Sequence, residues 1–214
     1  MDSVTSRNIL FGLLAFALTT CVNGQDAEEI FQRGNSLWWE GKYQEALMYV
    51  DSSLKIDSSL YQRYLFRAKL NAELGMFESA IEDVTKCIER CKCSTRKYHL
   101  STYYLERARL QVQTNDHDAA ISDATKSINS NPHNWQSYNF RSDLFIKSGN
   151  LDGALSDLTN SIKIDDNQAE TFIARGQLRI EMGDIDGACS DLSKVVSWGL
   201  DEFESWINEN CSRK

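Results

Sequence analysis

The chain has 214 residues, 42% of them hydrophobic and only one a proline, which allows a continuous helical core and leaves no room for a Pro-rich linker. Its 23 basic against 31 acidic residues give a formal net charge of −8. That balance excludes the basic surface a phosphate backbone demands, so no nucleic-acid partner is expected.

The first feature along the chain is an apolar run from Ile9 to Thr20, preceded by Arg7 and followed by small or polar residues. Its length suits the core of an export signal and is too short for a comfortable membrane span. Val22 and Gly24 occupy the small-residue positions before a cut, so residues 1–24 are expected to be a signal peptide and Gln25 the new N-terminus. Its removal takes one Asp and one Arg and leaves the charge at −8, with no integral membrane span in the remaining chain. The expected location is periplasmic or secreted. Leu18-Thr19-Thr20-Cys21 also resembles a bacterial lipobox, which makes a lipid-anchored envelope protein through Cys21 the alternative; Thr20 just before the cysteine is unusual in that motif.

From Ala27 to Glu202 the chain repeats itself. Ala46, Ala80, Ala120, Ala154 and Ala188 share the twentieth position of a 34-residue frame, spaced 34, 40, 34 and 34 residues apart. A fixed period of this size predicts stacked supersecondary units that bury one another's hydrophobic faces. The fourth position holds Ile30, Tyr64, Tyr104, Tyr138 and Phe172, and the twenty-fourth Val50, Val84, Ala124, Leu158 and Leu192, core contacts at helical spacing. The eighth holds Gly34, Ala68, Ala108, Ser142 and Gly176, small enough for two helices to approach closely. Gly41, Gly75, Asn115, Gly149 and Gly183 at the fifteenth tolerate the left-handed backbone that ends a helix, which marks a hairpin turn.

This combination resembles the tetratricopeptide repeat in five in-register copies. The resemblance implies an all-α fold, a right-handed superhelical solenoid of five helical hairpins with a C-terminal capping helix. The repeats are expected at 27–60, 61–94 with an insertion to 100, 101–134, 135–168 and 169–202, and the capping helix and tail at 203–214. The family's usual Trp near the start of the first helix is replaced, and its inter-repeat Pro survives only as Pro132. Phe203 to Cys211 begins like another first helix, with Trp206 at the fourth position, but no second helix follows.

Export would permit disulfides, and with Cys21 removed five cysteines remain, so at least one is unpaired within the chain. Gly-Ala-Cys189, then Ser197-Trp198-Gly199 and a terminal Cys211, look like the ends of exported bacterial tetratricopeptide proteins. That likeness favours a Cys189–Cys211 staple on the cap over two separate buried thiols. Cys87, Cys91, Cys93 and His99 cluster at the six-residue insertion. A zinc site and a Cys91–Cys93 redox dithiol are possible there, but the spacing matches no strong zinc motif and nothing nearby is thioredoxin-like. Structural disulfides or buried thiols are the preferred reading, and no metal or other cofactor is expected.

Arg33, Arg67, Arg107, Arg141 and Arg175 recur at the seventh position, with Asp83, Asp123, Asp157 and Asp191 at the twenty-third of the last four repeats. The match of guanidinium to carboxylate favours a structural ladder over an anion track; Arg33, with Tyr49 in place of the Asp, is the exception. His117 stands at a position that is apolar in the other repeats and reads as a partly buried packing residue. There is no phosphate-cradling glycine loop, no His-Glu-x-x-His and no Gly-x-Ser-x-Gly, so the chain is expected not to be an enzyme.

Function is then expected on the concave surface that the family forms from the second, fifth, ninth, twelfth and thirteenth positions of each first helix. Here these include Phe31, Asn35, Trp38 and Trp39, then Leu65 and Lys69, Leu105 and Arg109, Asn139 and Ile146, and Ile173 and Gln177. An apolar stripe through Leu65, Leu105, Ile146, Ile173 and Ile180, with two tryptophans at one end, suits a protein or peptide ligand with apolar anchors. The tryptophans have a competing role as a cap on the open N-terminal end. Relatives that grip acidic chaperone tails use a Lys and Asn clamp, and Phe31 stands at the first Lys, which argues against that partner class. The expected function is an exported, non-enzymatic scaffold; a redox accessory using Cys91 and Cys93, or a structural subunit of an envelope assembly, are the alternatives. Neither the partner's identity nor an oligomeric state can be read from these residues.

Overall fold

The positions that recur every 34 residues become the turns and crossings of antiparallel helix pairs. A computed structural model describes residues 24–91 and 97–211; the proposed signal segment ahead of Gly24, Cys21 and Cys93 lie outside them. The helices are α1 (24–39), α2 (Tyr43–Ile56), α3 (Tyr61–Glu73), α4 (Phe77–Cys91), α5 (Lys97–Gln113), α6 (His117–Ser130), α7 (Trp135–Lys147), α8 (Leu151–Ile164), α9 (Ala169–Glu181) and α10 (Ile185–Ser197). A 3₁₀ turn at Asp201–Phe203 and α11 (Glu204–Asn210) follow. The fold is all-α. It divides into two compact units, 1–93 with α1 to α4 and 94–214 with α5 to α11.

Each hairpin turn forms for the same local reason. Gly41, Gly75, Asn115, Gly149 and Gly183 take φ of 75°, 74°, 60°, 78° and 80°, where only glycine, or asparagine at some cost, is unstrained. The next residue's N–H then reaches back five residues, as in Lys42 to the Leu37 carbonyl at 2.9 Å and Asp184 to the Arg179 carbonyl at 2.8 Å, which closes the helix end. Asp116, Asn150 and Asp184 cap the helices that follow by accepting from the backbone N–H of Ala119, Gly153 and Gly187. The crossing of the two helices needs a small eighth residue: a Cβ on Gly34 would lie 3.0 Å from Val50 Cγ2 and 3.1 Å from the Ala46 carbonyl oxygen. All five twentieth-position alanines are fully buried.

Two rows of buried polar groups recur in register. Arg67, Arg107, Arg141 and Arg175 each donate through Nε and Nη2 to both oxygens of Asp83, Asp123, Asp157 and Asp191, at 2.6 to 3.0 Å. Within the units the third guanidinium nitrogen reaches the preceding hairpin, from Arg67 to Asp51, Arg141 to Thr125 and Arg175 to Thr159. One row of ion pairs therefore ties helix to helix and hairpin to hairpin. A second row uses the twenty-seventh position, where Ser53, Cys87, Ser127 and Ser161 donate to the carbonyl of their own repeat's first residue. Cys87 thus does a serine's work, and burial, with Asp83 adding to it, pushes its thiol up to about 12.

The two ends of the repeat series are closed by different means. At the tenth position Leu70, Leu144 and Leu178 are buried, whereas the first hairpin has exposed Ser36; at the third, Arg63, Tyr103, Ser137 and Thr171 are buried, whereas Glu29 is exposed. The first hairpin thus turns a polar face outward, as a terminal repeat must. At the other end α11 packs on α10 and is stapled to it by a disulfide between Cys189 and Cys211, with Cα atoms 5.7 Å apart. Separate thiols at these positions are thereby overturned.

Candidate binding faces

Trp38 and Trp39, adjacent in sequence, have different surroundings. Trp38 is half-buried and packs on the core of the first two hairpins, with its ring centroid 5.8 Å from that of Phe66. Trp39 stacks edge-on against Trp38 at 4.7 Å and is 77% exposed, the most exposed large hydrophobic residue among those described. Phe31 extends the row by packing edge-on against Phe66 at 5.3 Å. These aromatic contacts run from the first hairpin toward the second. Trp38 thus packs between the first and second hairpins, while Glu29 and Ser36 are exposed at positions that other repeats bury.

Around this row in unit 1, Asn35 and Leu65 are half-buried and Lys69 is exposed. Arg63 underlies it: almost fully buried, it donates to Glu28 at 3.1 Å and to the Asp57 carbonyl at 3.0 Å, and its guanidinium lies 5.7 Å from the Phe31 ring centre. The sequence reading missed Arg63. The signal was present, since the other described third positions hold Glu29, Tyr103, Ser137 and Thr171, and a buried arginine there needs carboxylates from the preceding hairpin.

In unit 2, Ile146 and Ile173 are half-buried, Gln177 is exposed, and Asn139 donates to Thr171 Oγ1 at 2.6 Å. Arg109 is exposed and paired with Glu106 at 2.8 Å, one turn away on α5. Leu105, expected in the apolar stripe, is only 4% exposed and lies in the floor of the face. Above it a cavity of about 350 Å³ opens between α5 and the start of α7, lined by Thr102, Glu106, Arg109, Asn131, His133 and Trp135 among others. Asn131 and His133 in the turn, and Trp135 at the start of α7, were not found because only positions two, five, nine, twelve and thirteen of the first helices were considered. His117 is exposed, contrary to the packing role expected of it, because it follows the Asp116 cap on the outer start of α6.

His99 is exposed and stacks on Tyr103 at 6.3 Å, while Cys87 and Cys91 are buried. Among the described residues no group of three or more His, Cys, Asp or Glu side chains is placed to hold a metal ion. Arg33 is exposed and has no ion-pair partner among the described residues, and Tyr49 beside it is 40% exposed. No described helix is long and apolar enough to cross a membrane.

The family model described as tetratricopeptide repeat matches residues 61–92 and 101–134. Among curated proteins, the chain is 34% identical over 67 residues to the Hsp70-Hsp90 organising protein of Plasmodium falciparum, which covers 31% of this chain and 27% of that protein. The chain thus spans about a quarter of the length of that relative. A solved tetratricopeptide repeat protein from Parabacteroides merdae superposes with a TM-score of 0.72 at 15% identity, covering 84% of this chain and 69% of that one. MamA superposes with a TM-score of 0.70 at 18% identity, covering 85% and 95%. YrrB, described as a tetratricopeptide repeat protein with an unusual peptide-binding site, superposes with a TM-score of 0.66 at 18% identity, covering 91% and 97%.

Proposed function

We propose that this chain, a tetratricopeptide repeat protein, is an exported, non-enzymatic scaffold that binds a protein or peptide along the first-helix faces of its units. The observation that carries this reading is Trp39. An indole 77% exposed on a face otherwise built from packed aromatics is costly in water and is the kind of anchor that dominates interfaces. Unit 2 supports the same use with a half-buried apolar row of Ile146 and Ile173 flanked by polar Asn139 and Gln177. YrrB's described peptide-binding site lends support by analogy. Phe31 at the expected clamp lysine speaks against transferring a chaperone-tail partner from the Plasmodium relative.

Export rests on the apolar run Ile9 to Thr20 and on Val22 and Gly24 ahead of the proposed cut. The test of the binding reading is Trp39→Ala, assayed for affinity to partners recovered from the native envelope and for melting by circular dichroism. The reading expects affinity to fall about 10-fold or more, as for an interface anchor, with little change in melting temperature. A large fall in melting temperature with affinity unchanged would assign Trp39 to folding and end its role as an anchor.

A further inference from the structure

Position eleven of the frame follows the position-seven arginine by one helical turn and differs in every repeat, as Leu37, Asn71, Gln111, Phe145 and Arg179. In unit 2, Arg179 fills the place over Asp191: its Nη1 donates to Asp191 Oδ2 at 2.8 Å and to the Gly187 carbonyl at 3.0 Å, and its Nε lies 3.3 Å from Asp184 Oδ2, a position held by Met76 in unit 1. In unit 1 the same place is overlain by the shorter Asn71, which is 95% buried and whose Nδ2 is 3.5 Å from Asp83 Oδ2. A cavity of about 270 Å³ opens there between α2 and α4, lined by Leu47, Asp51, Arg67, Asn71, Met76, Ser79, Glu82 and Asp83.

We propose that this cavity is a second binding site, outside the first-helix faces, that accepts an arginine side chain of a partner polypeptide. The ligand class is set by the chain's own geometry, because Arg179 shows which group the carboxylate at position twenty-three and the carbonyl at position nineteen hold in the equivalent place of unit 2. Ser79 and Asp83 occupy those positions in unit 1. Charge points the same way. Thr159, which accepts from Arg175 in unit 2, is replaced by Asp51, which accepts from Arg67 at 2.6 Å. Asp51, Glu82 and Asp83 then face Arg67 alone in the lining, and Lys86, 3.5 Å from Asp83, still leaves one negative charge in excess. A planar guanidinium with forked donors matches a carboxylate beside a carbonyl better than a compact ammonium does.

Two measurements on the mature full-length protein test this. Asn71→Arg supplies the side chain in cis and is expected to raise the melting temperature by a few degrees; a fall would overturn the proposal, since the cavity would then not suit a guanidinium. Titration of the wild type with N-acetyl-arginine methylamide, followed by ¹⁵N chemical shifts, is expected to move the Asn71 side-chain amide and the Ser79 amide saturably. The response should be absent in Asn71→Arg and about 2- to 5-fold weaker in Glu82→Gln. No saturable shift, or an equal response to N-acetyl-lysine methylamide, would overturn it, and neither result bears on the Trp39 face.

Discussion

Replacing Asp123 by Ala removes a carboxylate that is 2% exposed and accepts from Arg107 Nε at 2.6 Å, Arg107 Nη2 at 3.0 Å and Lys126 Nζ at 2.9 Å. The Lys126 side chain is 48% exposed and rehydrates readily, so most of the cost falls on Arg107, which is left 16% exposed without its bidentate partner. Stripping one member from such a buried pair costs about 3 kcal/mol, the low end of the usual range because some water reaches Arg107. For a chain of this size that is a fall of roughly 6–12 °C in melting temperature. Arg107→Met combined with Asp123→Leu should recover most of it, since a matched apolar pair has no charge to strand. The same carboxylate gives the loss a pH dependence. Burial pushes its pKa up, but the hydrogen bonds from Arg107 and Lys126 outweigh this and hold it below the usual aspartate value. A lowered folded pKa means stabilisation that is full above the unfolded value, about 3.9, and is lost as pH falls through the folded value. Urea unfolding of wild type and Asp123→Asn should therefore differ most near neutral pH and converge in acid. A loss below about 1 kcal/mol for Asp123→Ala, or a wild-type advantage unchanged between neutral and strongly acidic pH, would refute the ladder as a stabilising device.

Three other outcomes are expected. Reducing the Cys189–Cys211 bond, which spans 22 residues, should cost about 3 kcal/mol and release hydrogen-exchange protection in α11 first, and peptide mapping of exported protein without reductant should recover the linked pair. Cys87→Ser should change stability by less than about 1 kcal/mol, because Ser53, Ser127 and Ser161 make the same bond, and the native Cys87 thiol should resist alkylation while pushed up to about 12. Intact mass of exported protein should begin at Gln25; a diacylglyceryl adduct on Cys21 would establish the lipid-anchored alternative, and retained Met1 would remove the export argument.

The fold was legible because each repeated position has one local demand that does not depend on its neighbours' identity. Positive φ at Gly41 and Asn115, close approach at Gly34 and ion pairing at Arg107 and Asp123 all follow from residue type and register. The binding faces were less legible, because exposure depends on how adjacent hairpins overlap. Leu105 and Leu65 share a frame position, yet one is buried and the other half-buried. Trp38 and Trp39 look equivalent in sequence, but one helical step of about 100° turns the first toward Phe66 and the second into solvent. Arg63, His133 and Trp135 were missed because they act across a repeat boundary, where the frame describes single hairpins rather than their junctions.

Site-specific photo-crosslinking tests the central claim most directly. A photoreactive phenylalanine placed at Trp39, Lys69, Arg109 or Gln177 on the first-helix faces, and at exposed Ser122 or Ser156 on second helices away from the α2–α4 cavity, would be activated in cells that make the protein. The account predicts one polypeptide partner crosslinked from the first-helix positions, with little from the others. Crosslinks confined to the second-helix positions, or equal from both sets, would contradict it.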